Sequence, residues 1–516
     1  MREVGRSWLV LALSLIVPVS TSGCGTETDL DGPPLVEATS QALTSGSQSY
    51  LVSFAGGTIP SNAASVISAA GGTIVTRYAH VGVVLAKGSG AGFAAALRAD
   101  ARVDSVGLAR AVASSIRPKK VSGLQRGPKR NPQGGADPLS NHQWDMDQIK
   151  APQARAISGG KSSVLVGVLD SGLDPTHPDL VGQVVASASA SCVGGVANAD
   201  PATWSNDVIG HGTHVAGIIA ARKNNVGIVG VAPGVRLASV KMAVDDVNDP
   251  SFGLVFADAF VCAMDWAIGH GFDLMNASLS IDPFTGPLDS LFCSDQPDRV
   301  AIVKMVRRAV LAAAAKKITL VASTGNFFTD LATVTNGTGG TNCKVIPVQL
   351  PRVIGVSATG VTKQLAWYSN YGARAVDLAA PGGDSNLPFA GVPETAASGQ
   401  VLSSVPAGSI YYQFAADWDG QVEDCSSGTC ATYAYIQGTS QAAPHVTGVA
   451  ALAISRYGKL APEALLALLS FKATGLPCPA SPYDPGQTGQ PATCKGPTAY
   501  NNFYGAGLVD ALAVSR

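Results

Sequence analysis

The sequence predicts an α/β protein, a three-layer fold around a mainly parallel sheet, preceded by a small α+β domain of ferredoxin-like order. Three observations carry this. Apolar runs at 164–169 and 320–322 read as strands buried on both faces, as parallel strands are. Apolar stretches of small residues at 215–221 and 442–454 read as helices lying close on such a sheet. Ahead of them, residues 50–106 run strand, helix, strand, strand, helix, strand.

The elements follow in chain order. Arg2 and Arg6 precede an apolar run at 8–19, then small residues and Cys24, the pattern of an export signal over 1–23. Thr21-Ser22-Gly23-Cys24 is similar to a bacterial lipoprotein processing site, which would leave a lipid on Cys24. An ordinary secretory cut near Ser22 is the alternative. Residues 24–48 are polar and read as a linker. The small domain spans 49–113, with strands at 50–54, 73–78, 81–85 and 103–106 and helices at 63–69 and 92–100. Residues 114–136 carry Arg117, Lys119, Lys120, Arg126, Lys129 and Arg130 among Pro and Gly, and read as a flexible, cleavable connector. The large domain, 137–516, is enlarged by loops at 183–206, 282–300, 327–346, 384–435 and 474–500. Loops of this kind shape specificity on a rigid scaffold.

Composition narrows the function classes. Charged residues are 14% of the chain, below the ~25% usual in soluble domains. With 58 Gly and a net charge of −1, this fits tight helix–sheet packing under a weakly charged surface, and nothing points to nucleic acid. No later stretch is long and apolar enough to span a bilayer, so a lipid on Cys24 would be the only membrane link. A monomer is expected. The even number of cysteines after Cys24 points to disulfides in an exported chain. Proximity favours Cys425–Cys430 and Cys478–Cys494; Cys293–Cys343 and Cys192–Cys262 are what remains, and other pairings stay open. No Cys-x-x-Cys spacing supports zinc.

The chemistry concentrates in Val168-Leu169-Asp170-Ser171-Gly172, His211-Gly212-Thr213-His214 and Gly438-Thr439-Ser440-Gln441-Ala442-Ala443-Pro444-His445. A serine hydroxyl needs a neighbouring imidazole to take its proton, and that imidazole needs a carboxylate on its far nitrogen. Asp170 ends a predicted strand, where open α/β sheets collect function. Ser440 precedes a predicted helix whose free N–H groups favour negative charge, and Pro444 is tolerable in a first turn. A tetrahedral oxyanion also needs donors. Asn326, after the strand Leu320-Val321-Ala322-Ser323-Thr324-Gly325, would give a side-chain N–H and Ser440 a backbone one. His214, three residues after His211 with no Glu or third ligand at useful spacing, reads as a structural histidine.

These segments resemble those of the subtilisin-like serine proteases (subtilases, peptidase family S8). So do His177-Pro178-Asp179-Leu180, Gly230-Val231-Ala232-Pro233, Asn276-Ala277-Ser278-Leu279, Ala380-Pro381-Gly382 and Tyr504-Gly505-Ala506-Gly507-Leu508. The resemblance runs from about Pro138 onward. It implies a subtilisin-like fold and a serine endopeptidase acting through an acyl-enzyme on Ser440, with His211 as base, Asp170 orienting it and Asn326 on the oxyanion. It places Ser278, Leu279, Ser280, Ser323, Thr324 and Gly325 around the substrate. No acidic residue marks a basic preference and Phe327 follows Asn326, so an apolar or broad preference is expected. The small domain resembles the inhibitor-I9-like propeptide, an intramolecular inhibitor removed by cleavage near 117–140. No cofactor is implied for the chemistry, but structural calcium is, through Asp179 and Asn224, with a further ligand near Ser140 or Gln143. Two departures stand out. Gln441 occupies a packing position where the family usually has Met, and Ser280 stands where a Gly is common. An esterase would want a Gly-x-Ser-x-Gly elbow, which Gly438-Thr439-Ser440-Gln441-Ala442 is not.

Overall fold

Leu51, Val83 and Leu85 alternate with Val52, Val84 and Ala86, and each set enters a different core. That alternation has period two, as a pleated strand requires. The computed structural model describes residues 47–109, 113–116, 137–245, 253–279, 297–334, 344–386, 399–415, 420–486 and 489–516. The export signal, Cys24, Ser280, the Cys293–Cys343 pair and most of the connector lie outside the described residues.

The first unit contains β1 (Ser47–Phe54), α1 (Ala63–Ala69), β2 (Gly72–Tyr78), β3 (Val83–Ser89), α2 (Gly90–Ala99) and β4 (Val103–Leu108). Its antiparallel sheet has the order β2-β3-β1-β4. One face closes over Val66, Ile67, Phe93 and Leu97 of its own helices. The other face belongs to the core of the large domain. A strand β5 (Ala113–Ile116) follows, straddling the boundary expected at 113/114.

The large domain opens with α3 (Trp144–Gln148) and α4 (Ala151–Arg155), then β6 (Leu165–Asp170), β7 (Ala190–Ser191), α5 (Pro201–Trp204) and α6 (His211–Ala220). It continues through β8 (Arg236–Lys241), β9 (Ala243–Asp245), β10 (Gly253–Phe256), α7 (Ala257–Gly269), β11 (Leu274–Ala277) and α8 (Pro297–Ala315). After these come β12 (Thr319–Ser323), β13 (Val353–Thr359), β14 (Leu378–Pro381), β15 (Val401–Ser404), α9 (Ile410–Ala415), β16 (Gln421–Asp424) and β17 (Ala431–Ile436). The chain finishes in α10 (Thr439–Tyr457), α11 (Pro462–Lys472) and α12 (Ala511–Ser515).

Seven strands form the central sheet in the order β14-β13-β12-β11-β6-β8-β7. Every pairing described within it is parallel. Val166, Val168, Leu237, Leu274 and Val321 face Val215, Ile218 and Ile219 of α6 and Val446 and Val449 of α10. Leu169, Val240, Met275 and Leu320 face Phe260 and Met264 of α7 and Met305 and Val306 of α8. Both faces are therefore covered, which is why these strands read as continuous apolar runs. Because β6, β11 and β12 run parallel side by side, Asp170, Ser278 and Asn326 follow the same edge of the sheet.

The small unit docks on α7 and α8. The backbone N–H groups of His80 and Val81 donate to Asp265 Oδ1 at 2.8 and 3.3 Å. Arg308 donates to the Val81 carbonyl at 2.9 Å, and Tyr78 to that of Gly195 at 2.6 Å. β5 then pairs antiparallel with β10, from Ala113 opposite Phe256 to Ile116 opposite Gly253, with β9 on the far side of β10. Three of the expected disulfides are formed, Cys192–Cys262, Cys425–Cys430 and Cys478–Cys494. Among the described residues no helix is long and apolar enough to cross a membrane.

Candidate active site

Asp170 ends β6 and His211 begins α6, and the two meet in the interior. The His211 Nδ1–H donates to Asp170 Oδ1 at 2.6 Å, both side chains being essentially inaccessible (2% and 0% exposed). The Ser171 N–H donates to the same oxygen at 2.7 Å. Close approach here depends on Gly212, where an added Cβ would stand 1.9 Å from the Gly172 carbonyl oxygen and 3.1 Å from the Asp170 Cβ.

Asp207 fixes the start of α6. Its carboxylate accepts from the Ser171 hydroxyl (2.7 Å), the Gly210 N–H (3.0 Å), the Thr213 N–H (2.8 Å) and the Thr213 hydroxyl (2.6 Å). A carboxylate at a helix N-terminus satisfies otherwise orphan donors. The motifs do not single Asp207 out; a carboxylate shortly before a predicted helix is the available signal. Tyr411 of α9 lies outside every motif too. Its ring meets that of His211 edge to face, with centroids 5.5 Å apart.

Ser440 is the second residue of α10, which packs against α6. Its hydroxyl donates to the Ser278 carbonyl at 3.0 Å, and the Ser278 hydroxyl donates back to the Ser440 carbonyl at 2.7 Å. That carbonyl is available because Pro444 has no N–H to bond it. Pro444 therefore sits in the second turn of a helix that starts at Thr439, earlier than expected, and Ser278 takes the bond the proline leaves.

The Asn326 amide is held in one orientation. Its Oδ1 accepts from the Thr439 N–H (2.9 Å) and the Thr439 hydroxyl (2.8 Å), and the hydroxyl in turn accepts from the Gly325 N–H (3.0 Å). Nδ2 is thus turned toward Gly438. A methyl carbon built on Gly438 would lie 3.3 Å from Asn326 Nδ2 and 3.6 Å from the Ser440 nitrogen. Both nitrogens border one small hollow beside Gly438, where a side chain would stand. Thr439, to which the motifs assign no role of its own, is what aims Asn326.

Around this corner, Ser278, Leu279, Ser323, Thr324 and Gly325 lie at the ends of β11 and β12, all but Gly325 buried. Thr324 turns inward, its hydroxyl bonding the Val356 and Asn370 carbonyls at 3.1 Å each, while its N–H donates to the Val356 carbonyl (3.2 Å) and its own carbonyl accepts from the Asn370 amide (2.9 Å). Asn370 ties the loop further, accepting from the Phe327 and Thr329 N–H groups. Phe327 stands on the rim, 51% exposed.

His214, one turn along α6 from His211, is fully buried and bonds the Ala434 carbonyl at 3.1 Å. Burial, with a smaller push from His211 and His445, lowers its pKa to about 3. The folded state therefore needs it neutral, whereas the unfolded chain protonates it near pH 6.5. Its contribution is fully present above about pH 6.5 and is lost as pH falls toward 3, by about 2 kcal/mol at pH 5. Urea unfolding of the Ser440→Ala protein should show this acid loss, and a His214→Gln version should show less of it.

The residues expected to hold a structural cation surround Asp179. This residue is buried; Oδ2 accepts from the Ile228 N–H (3.1 Å) and the Tyr433 hydroxyl (2.8 Å), while Oδ1 has no partner among the described residues. Burial pushes its carboxyl up to about 7, with Asp137 adding to the rise. Asp137 holds the 224–225 turn by accepting from the Asn224 and Asn225 N–H groups at 2.8 and 2.9 Å. Asn224 donates its amide nitrogen to the Pro178 carbonyl and accepts from the Val226 N–H. Asp179 with its orphan oxygen, Asp137 and an Asn224 oxygen with a spare lone pair are hard donors of the kind calcium takes. Gln143 accepts from the Val229 N–H at 2.9 Å, and Asp137, three residues before Ser140, is the acidic neighbour that raises Asp179.

A buried Asp–His pair, a serine at a helix N-terminus and paired N–H donors, gathered at one edge of a parallel sheet, define a serine hydrolase of the α/β class. Residues 161–507 match the model of the subtilase family, and the chain belongs to that family of subtilisin-like serine endopeptidases. Fervidolysin of Fervidobacterium pennivorans is 30% identical over 64% of this chain, a region that spans 40% of fervidolysin's own length. Subtilisin DY of Bacillus licheniformis is 29% identical over 64% of this chain and 92% of its own. Among solved structures, the epidermin leader peptide processing serine protease of Staphylococcus aureus superposes with a TM-score of 0.65, covering 91% of this chain and 98% of that one. The crystal structure of fervidolysin gives 0.61, covering 91% and 61%. At 18% and 24% identity these two likenesses speak for the fold.

Proposed function

We propose that this chain is an exported, self-processing precursor of a serine endopeptidase that hydrolyses peptide bonds of proteins through an acyl-enzyme on Ser440. The observation that carries the reading is the 2.6 Å Asp170–His211 bond at the edge that also holds Ser440 and Asn326. Ser440 Oγ attacks the scissile carbonyl carbon while His211 Nε2 takes its proton, and the carbonyl electron pair moves onto oxygen. Asp170 holds the tautomer and the imidazolium. Asn326 Nδ2 and the Ser440 N–H take the oxyanion. His211 then protonates the departing amine, and water repeats the sequence on the ester.

The wild-type chain, produced in an oxidising compartment, should degrade a denatured protein and take one fluorophosphonate on the peptide containing Ser440. A folded product that does neither overturns the reading. Asn326→Ala should lower kcat by about 10²–10³ with little change in KM, a magnitude known for the equivalent donor in subtilisin itself.

The small unit acts as the intramolecular inhibitor in this reading. Support comes from its docking on α7 and α8 and from β5 lying along β10. Export rests on the N-terminal signal pattern; a lipid on Cys24 would anchor only the precursor side. Calcium held by Asp179, Asp137 and Asn224 would neutralise buried carboxylates and brace the 224–228 loop. Chelation is expected to lower the melting temperature of the Ser440→Ala protein, and excess calcium to restore it. Saturation at a hundred times Kd corresponds to about 2.7 kcal/mol. An Asp179→Asn protein indifferent to chelation would agree; a wild-type site equally indifferent would remove the cation.

A further inference from the structure

Gln441 follows the nucleophile in the first turn of α10, and its side chain is 1% exposed. The hollow above Gly438 has a third neighbour besides Asn326 Nδ2 and the Ser440 nitrogen. The methyl carbon that would mark it lies 2.9 Å from Gln441 Oε1. The other end of that amide, Nε2, is buried with no hydrogen-bond partner among the described residues. A buried amide with an unused donor is uncommon and calls for a reason.

The two ends of a carboxamide are nearly equal in size, so half a turn about the last side-chain bond exchanges Nε2 for Oε1. With the hollow uncharged, oxygen toward the two N–H donors is the favourable orientation. Once negative charge develops there, the same oxygen is repelled and the N–H₂ group is attracted. We propose that the Gln441 side-chain amide turns to become a third hydrogen-bond donor to the oxyanion at Gly438, beside Asn326 and the Ser440 backbone. Gln441 gives up no proton. The Ser440 Oγ–carbon bond forms, the Ser440 proton goes to His211, and Gln441 only stabilises the electron pair placed on oxygen. The proposal rests on the catalytic reading above and makes Gln441 more than a packing residue.

Gln441→Met keeps volume and removes the donor; Gln441→Glu keeps shape and replaces the donor with negative charge. Each is compared with wild type for kcat and KM on a chromogenic peptide. Binding is also compared for a peptide aldehyde, which forms a tetrahedral adduct, and for the matching alcohol, which does not. The expected result is a loss in kcat of about 10- to 100-fold for Met and more for Glu. KM and alcohol affinity should stay within about two-fold while aldehyde affinity falls in step with kcat. If Gln441→Met keeps both kcat and aldehyde affinity, or if alcohol and aldehyde weaken together, the amide only fills space and the proposal is overturned. Should Gln441→Met fail to fold, the isosteric Gln441→Glu carries the same comparison. Failure of the catalytic reading would look different, since wild type itself would then neither turn over the peptide nor bind the aldehyde better than the alcohol.

Discussion

Ser440→Ala should lower kcat by about 10⁶ and leave the purified chain at its full expressed length, while the wild type is cut within 117–140. The size of the loss is that found for the same nucleophile in subtilisin. The physical reason is local. Ser440 places its hydroxyl on the Ser278 carbonyl at the N-terminus of α10, and its own backbone nitrogen borders the Gly438 hollow. Thr439, beside it, spends its hydroxyl on Asn326 Oδ1. With no hydroxyl to take over, the remaining rate would come from binding and the oxyanion donors alone. The Ser440 hydroxyl donates one bond in the folded protein, so the variant should keep its melting temperature within a few degrees. Intact mass, hydrolysis of denatured protein and thermal melting check the three statements together. A Ser440→Ala chain that still matures on its own would show that another group, or another protein, makes the cut.

Asp170→Asn is expected to lower kcat by about 10⁴ with KM little changed. Asp170 Oδ1 takes both the His211 Nδ1–H and the Ser171 N–H, at 2.6 and 2.7 Å, and both side chains are buried. An amide there removes the negative charge that stabilises the imidazolium. It can also present N–H to Nδ1, which would leave the proton on Nε2, where it cannot serve as a base. The rate of fluorophosphonate labelling at Ser440 should fall in parallel with kcat. A loss smaller than ten-fold in both would mean that His211 is oriented by other contacts, Tyr411 foremost among them.

Much of this site is legible in the sequence because its parts are local. Asp170 closes an apolar run, His211 opens a helix of small residues, and Ser440 stands before another, so each announces its own place on the sheet. The alternation that sends Leu51, Val83 and Leu85 one way and Val52, Val84 and Ala86 the other is visible as doubly apolar strands, although the docking partner of the outer face is not. What stays hidden depends on contacts between distant segments. Asp207 matters because Ser171 and the 210–213 turn converge on it. Thr439 matters because Asn326 folds back from β12. Asp137 meets the 224–225 turn from a left-handed backbone (φ 57°), a contact between segments far apart in the chain that no motif announces. Pro444 falls in the second turn rather than the first because α10 begins at Thr439, a start tolerated once Ser278 occupies the carbonyl the proline cannot bond.

The central claim is that Ser440 carries the acyl group. It is tested most directly by mixing the wild-type enzyme with excess activated peptide ester, quenching in acid within the first turnover and mapping the adduct by peptide mass. The acyl mass should sit on the peptide containing Ser440, in an amount close to one per active chain, and should vanish in Ser440→Ala. Turnover of the ester with no adduct, or with the adduct on another residue, would contradict the account.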